Sequence, residues 1–222
     1  MSLPFPESLC HRCGAPPKYV RTATSVFLRC PLLPDKYPRQ PVLQCALFKP
    51  PILETARLWL RELTFDDLDF MAAMLGDPEV MRYFPSVEDR DGARRSIEKN
   101  RARYERDGHG FWLAVAKATG EPIGRVGLLR QQPFGDGVDH AEVAYMIHAP
   151  HQRHGFAFEA ATAVRDWAFT RGYDHVISLI RPENEPSEAV ARKLGLQPTT
   201  HVEFFGLDHR VWRLDRPSSL NR

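Results

Sequence analysis

Residues 152–157 read Gln152-Arg153-His154-Gly155-Phe156-Ala157, between a segment of strand character at 141–148 and one of helical character from about residue 158. Gly155 lets backbone come close to a ligand, and small Ala157 does nearly the same. The unpaired amides of a helix's first turn, with the helix dipole behind them, then attract an anion. Holding a phosphate is the chemistry this run supports, although an ordinary tight turn uses the same residue types. Upstream, strand alternation puts Glu142 on one face with Ala144, Met146 and His148. A carboxylate looking into a partly apolar cleft has its pKa raised towards the range of a proton acceptor. His148 is the competing base, with a histidine's ordinary role at a strand end being a solvated or hydrogen-bonded one. Downstream, Arg181-Pro182-Glu183-Asn184-Glu185-Pro186-Ser187 offers an amide and a hydroxyl. Asn184 also suits an Asx turn, and Ser187 after Pro186 also suits a helix cap or first turn.

A second group of reactive residues stands apart. Cys10, Cys13, Cys30 and Cys45 all precede the run Phe48-Lys49-Pro50-Pro51. With no signal-peptide pattern at the N-terminus, a disulfide framework is not expected. The C-x-x-C around His11-Arg12 has the spacing with which two thiolates reach one tetrahedral metal. Prolines 16, 17, 31, 34, 38 and 41 leave little regular structure between, and a small segment of this kind usually needs a staple. The expectation is a zinc-ribbon-like segment over 1–48, with structural Zn²⁺ on the four thiolates. The alternative is that only Cys10 and Cys13 are close and the other two are small buried residues.

The elements that position these groups follow from periodicity. A chain of 222 residues, 43% hydrophobic, can bury one sizeable core with a small appendage. The prolines at 50 and 51 mark the boundary, giving a main domain over 52–216. A formal net charge of +2 makes wholesale nucleic-acid binding by this domain unnecessary. No apolar run is long enough to cross a bilayer, so a cytoplasmic protein is expected. Arg57-Leu58-Trp59-Leu60-Arg61 alternates as a strand, and Thr64-Phe65-Asp66-Asp67 opens a helix stopped by Gly76-Asp77-Pro78. A charged helix is expected over 87–106, strands over 111–117 and 122–130, the strand carrying Glu142, a helix over 158–170 and a strand over 175–180. A helix over 187–194 and a closing hairpin over 201–214 complete the pattern. This is an α+β chain with a mixed, mostly antiparallel central sheet flanked by helices.

Taken in order, the strand 141–148, the loop 152–157, the segment 181–187 and Arg192-Lys193-Leu194-Gly195-Leu196 resemble the GNAT superfamily of acetyl-CoA-dependent N-acetyltransferases. The branch most alike includes enzymes that acetylate ribosomal-protein N-termini. The likeness spans about residues 53–215, with Leu196 standing where the family often has an aromatic. It implies that Gln152, Arg153, His154, Gly155, Phe156 and Ala157 form the loop holding the CoA pyrophosphate through main-chain amides. It implies that the strand of Glu142 and the strand 175–180 splay apart after Met146, freeing main-chain groups of Met146, Ile147 and His148 for the pantetheine. Asn184 and Ser187 would lie near the pantetheine and the sulfur.

The expected reaction moves an acetyl group to a primary amine, on a protein N-terminus or a small molecule, by direct attack in a ternary complex. Glu142 would act as base and Ser187 would donate to the departing thiolate. Arg153 and Arg192 are candidates for the CoA phosphates, and Tyr83-Phe84-Pro85 with Trp112 for the acceptor side. Two rival readings go with this one: a CoA-binding module without catalysis, and an acetyltransferase targeted to RNA, ribosome or protein by its basic cysteine-rich segment.

Overall fold

The computed structural model describes residues 18–21, 26–29 and 51–217. Strands β1 (Lys18–Arg21) and β2 (Val26–Arg29) pair antiparallel, with Lys18 opposite Arg29. All four cysteines, and the zinc expectation with them, lie outside the described residues. Among the described residues no three His, Cys, Asp or Glu side chains stand close enough to share a metal, and no helix is long and apolar enough to cross a membrane.

From Leu53 onward the chain builds one eight-stranded sheet. Its strands are β3 (Leu53–Glu54), β4 (Leu58–Glu62), β5 (Phe111–Ala116), β6 (Pro122–Gln131), β7 (His140–Ile147), β8 (His175–Ile180), β9 (Gln197–Phe204) and β10 (Leu207–Asp215). The spatial order is β3-β4-β5-β6-β7-β8-β10-β9. Every neighbouring pair is antiparallel except β7 with β8. That pair is parallel because helix α3 (Phe156–Thr170) crosses between the two strands, as a parallel connection requires.

Period-two alternation splits the sheet's side chains between two cores. On β5, Trp112, Ala114 and Ala116 face α3 and helix α4 (Glu185–Lys193), whereas Leu113 and Val115 face α1 (Leu68–Leu75) and α2 (Arg90–Asp107). Trp112, expected on the acceptor side, is instead fully buried, its ring edge-on to Trp167 of α3 at 5.2 Å. An aromatic one register step from Leu113 has to point into the other core. Small residues at Ala160, Ala161, Val164 and Ala168 give α3 its buried stripe and let it sit close against β6 and β7.

Helix α2 starts at Arg90 rather than 87, because Asp89 is its cap: the carboxylate accepts from the Gly92 amide at 2.7 Å. It buries Ala93, Ile97 and Asn100, four and three residues apart, and leaves its many charges outward. Buried Asn100 is satisfied by β5, donating to the Phe111 carbonyl at 2.6 Å and accepting from the Phe111 amide at 2.8 Å. That exchange fixes α2 over the start of β5. Opposite Phe111 on β6 stands Gly127, where a β-carbon would lie 2.0 Å from the Gly110 carbonyl oxygen. Only glycine allows β5 and β6 to approach there.

Candidate active site

The sheet is continuous on one side of β7 and open on the other. Towards β6 the ladder runs unbroken from His140 opposite Gln131 to Ile147 opposite Gly124. Towards β8 the matched pair is Glu142 with Ile177 alone, with the Ser178 hydroxyl donating to the Val143 carbonyl at 2.7 Å. Beyond that point β7 carries an unladdered edge. His148 donates its N–H to the Ile123 carbonyl at 2.9 Å, so antiparallel alternation directs the main-chain groups of Met146 and His148 to β6. Those of Tyr145 and Ile147 face the opening. Of Met146, Ile147 and His148, expected to offer free main chain, alternation turns Met146 and His148 to β6 and only Ile147 to the open edge, with Tyr145 as its companion. The Ile147 carbonyl accepts from the Gln152 side-chain amide at 2.9 Å, which links this edge to the loop.

Loop 152–157 turns through two left-handed residues, Arg153 at φ 63° and Gly155 at φ 78°. Gly155 is the N-cap of α3 and brings no capping side chain, so the amides of Phe156, Ala157 and Phe158 have no intrahelical partner. A β-carbon at Gly155 would stand at an ordinary 3.5 Å from Arg57, so the glycine is needed for its φ and not for space. Arg57 fastens the turn: its guanidinium donates to the His154 carbonyl at 3.0 Å, pairs with Glu159 at 2.6 Å and lies 4.5 Å over the Phe156 ring. Burial pushes the Glu159 carboxyl up, but the Thr55 hydroxyl, the Arg57 amide and the Arg57 guanidinium together hold it below the usual range. An arginine beside alternating leucines reads from sequence as strand surface, so nothing in the sequence marked Arg57.

Glu142 stands where β7 and β8 meet, at 8% exposure, with its side chain on the α1/α2 face. Its carboxylate accepts from the Gln131 side-chain amide at 2.9 Å and from the Leu179 amide at 3.4 Å. Burial pushes its pKa up; these two donors and the charge of Arg103 offset part of that. Gln131 is the cross-strand neighbour of His140, a relation legible only once register is known. His148, the competing base, lies just past the end of β7, six residues and about 20 Å from Glu142, with its ring against Phe70 at 5.6 Å.

Asn184 caps α4, its side-chain oxygen accepting from the Ser187 amide at 3.2 Å. The Ser187 carbonyl accepts from the Tyr145 hydroxyl at 2.8 Å, tying the start of α4 across to β7. Burial, and then the charge of Glu142, push the Tyr145 hydroxyl well above its ordinary pKa, so it stays protonated. Arg192 is engaged elsewhere, paired with Glu188 at 3.0 Å and lying 5.2 Å over Trp212. These bonds link Tyr145, Ile147, Gln152, Asn184 and Ser187 along the open edge of β7, with Glu142 at its start, where β7 and β8 still pair.

Comparison with known proteins bears on the family and the fold. Residues 57–197 match the family described as "Acetyltransferase (GNAT) domain". The uncharacterized N-acetyltransferase YoaA of Bacillus subtilis is 31% identical over 150 residues, covering 66% of this chain and 83% of that protein. An acetyltransferase structure from Agrobacterium tumefaciens superposes with TM-score 0.64 at 29% identity, over 75% of this chain and 95% of that one. RimL, a ribosomal L7/L12 α-N-protein acetyltransferase solved with coenzyme A, shares the fold at TM-score 0.61 and 17% identity, over 74% and 97% of the two chains. With the family match covering more than half of its length, the chain belongs to the GNAT acetyltransferases.

Proposed function

We propose that this protein transfers the acetyl group of acetyl-CoA to a primary amine by direct attack in a ternary complex. The observation that carries the proposal is the buried Glu142 at the parting of β7 and β8, at the start of an open strand edge that Gln152 links to the loop before glycine-capped α3. The N-terminal amides of α3 suit the CoA pyrophosphate, with Arg153 beside them. The main chain of Tyr145 and Ile147 suits the pantetheine amides, and Asn184 and Ser187 border its path.

The amine nitrogen attacks the thioester carbon, the C–S bond breaks and the nitrogen's proton leaves. An aliphatic ammonium near pKa ~10 is almost wholly protonated at neutral pH, so a base must take that proton. Glu142, its pKa raised by burial, is the base, directly or through one water. The Tyr145 N–H, on the open edge of β7 and three residues from Glu142, suits the carbonyl oxygen, and Ser187 supplies a hydroxyl for the departing thiolate. The acceptor is an amine on a protein N-terminus or a small molecule.

A thiol-release assay with acetyl-CoA and an amine panel tests the activity, and calorimetry of CoA binding tests the loop. Gly155→Glu puts a β-carbon at φ 78° and a carboxylate at the phosphate site, and CoA binding should be lost. Wild-type affinity in that variant would remove the loop from the account. For the cysteine segment, zinc on Cys10, Cys13, Cys30 and Cys45 rests on their spacing. One equivalent of zinc in full-length protein supports that reading, and none overturns it.

A further inference from the structure

Arg103 stands near enough to Glu142 for their charges to couple, and Arg125 near enough to Arg103 for the two to repel. Arg125 lies on β6 opposite Met146 and Leu113, so its side chain enters the α1/α2 face of the sheet, the face of Glu142. Its guanidinium donates to the Ser96 hydroxyl at 2.9 Å and lies 4.4 Å over the Phe111 ring. Its Nε is sealed from solvent with no hydrogen-bond partner. No carboxylate lies within 4 Å of either arginine among the described residues. Glu88 is the acid near enough to Arg125 to raise its pKa, and it is shared with Arg95 at 3.9 Å. Burial, then repulsion from Arg103, bring the Arg125 guanidinium down to about 10, so it remains charged at neutral pH. Arg125 is half-buried, and a guanidinium with a sealed, unpartnered Nε is costly to keep.

Register places these charges around a definite space. Phe111, on which the Arg125 guanidinium rests, is opposite Gly127, and Gly127 is opposite Ala144. Arg125 therefore leans along β6 to the level of Ala144, about 7 Å short of Glu142 along the strand direction and on the far side of β6 from it, since Phe111 belongs to β5. Gly127 and Ala144 are the floor between them and carry almost no side chain. Arg103 overlooks the same floor from α2, two turns after Ser96, near enough to Glu142 for their charges to couple. An amine delivered to Glu142 would thus have two guanidinium groups within reach of whatever it carries a few bonds away.

We propose that Arg125 and Arg103 form an anion-recognition site in the acceptor cleft, so that the favoured acceptor is an amine carrying a carboxylate within about five bonds of the reacting nitrogen. This rests on the acetyltransferase reading and adds the acceptor's chemical class to it. Free amino acids and peptides with an acidic residue at the N-terminus both present that chemistry.

The test is thiol release by the full chain with matched acceptors: free amino acids against their amides, and peptides whose first two residues are acidic against their Asn/Gln counterparts. The wild type should favour the acid form by at least about tenfold in kcat/KM in one of the two arms, and that arm identifies the source. Arg125→Gln should bring the ratio close to one, Arg125→Lys should keep most of it, and Arg103→Gln should lower it, all with CoA affinity unchanged. Because amides and acids differ in amine pKa, the change in ratio between wild type and variants is the deciding quantity. A ratio equal in wild type and both Gln variants, in both arms, overturns the proposal. If no amine releases thiol, the acetyltransferase reading fails by itself. Calorimetry of the CoA complex with N-acetylamino acids against their amides then decides the anion site: acid preference lost in Arg125→Gln upholds it, and no preference overturns it.

Discussion

Glu142 and Glu188 are the same residue type at nearly the same depth, 8% and 4% exposed, yet their surroundings are opposite. Glu188, in the first turn of α4, is gripped by Arg192 at 3.0 Å and by Arg210 of β10. Its charge is balanced, and its position next to a helix N-terminus adds to that balance. Glu142 has a side-chain amide and one long backbone N–H. Burial therefore lifts its pKa, and a carboxylate so placed is a better proton acceptor than a surface one. One glutamate locks α4 to the sheet; the other is held ready to change its protonation state. Burial alone does not distinguish a structural carboxylate from a reactive one, whereas the count and charge of its partners does.

That contrast can be broken from either side. The largest effect is expected for Glu142→Gln, which keeps shape and removes the proposed base: kcat/KM should fall about 10²- to 10⁴-fold at neutral pH. Its stability should move the other way. A carboxyl whose folded pKa is raised favours the folded state most below the unfolded value, about 4.3, and loses that contribution as pH rises through the folded value. Thermal melts should therefore show Glu142→Gln gaining on the wild type between pH 4 and pH 8. Glu188→Gln should retain acetyl transfer per folded molecule and lose stability. The loss should be about 2–3 kcal/mol, below the cost of breaking a fully buried pair because Arg192 is 60% exposed. That corresponds to about 5–10 °C in Tm for a chain of this size. A smaller effect is expected for Gln131→Leu. Loss of its amide lets the Glu142 pKa rise further, moving the acid limb of the pH–rate profile upward and slowing turnover about 3- to 10-fold on that limb.

Much of this arrangement can be read in the chain before it folds. The alternation at 141–148, Gly155 at the start of a helical run and Asn184 ahead of Pro186 place strand, turn and cap with small boundary errors. The helix over 187–194 opens two residues earlier in the structure, at Glu185, since Asn184 is its cap. What could not be read depends on register and on which core a face meets. Trp112 lies under α3 because its parity is opposite to that of Leu113, and parity relative to the helices is a tertiary fact. The neighbours of Glu142 come from β6, β8 and α2, at sequence distances no periodicity connects. Arg57 and Tyr145 are of the same kind, joining the residue just before β4 to the α3 turn and β7 to α4 across long separations.

The central claim is that Glu142 is the base of acetyl transfer, and the pH–rate profile of wild type against Glu142→Gln, with CoA affinity measured on the same preparations, tests it most directly. The account predicts a wild-type rate that rises through an acid limb above the ordinary carboxylate range, and a variant that binds CoA normally, is slow throughout and lacks that limb. Equal turnover in the two proteins between pH 6 and pH 9 would contradict it.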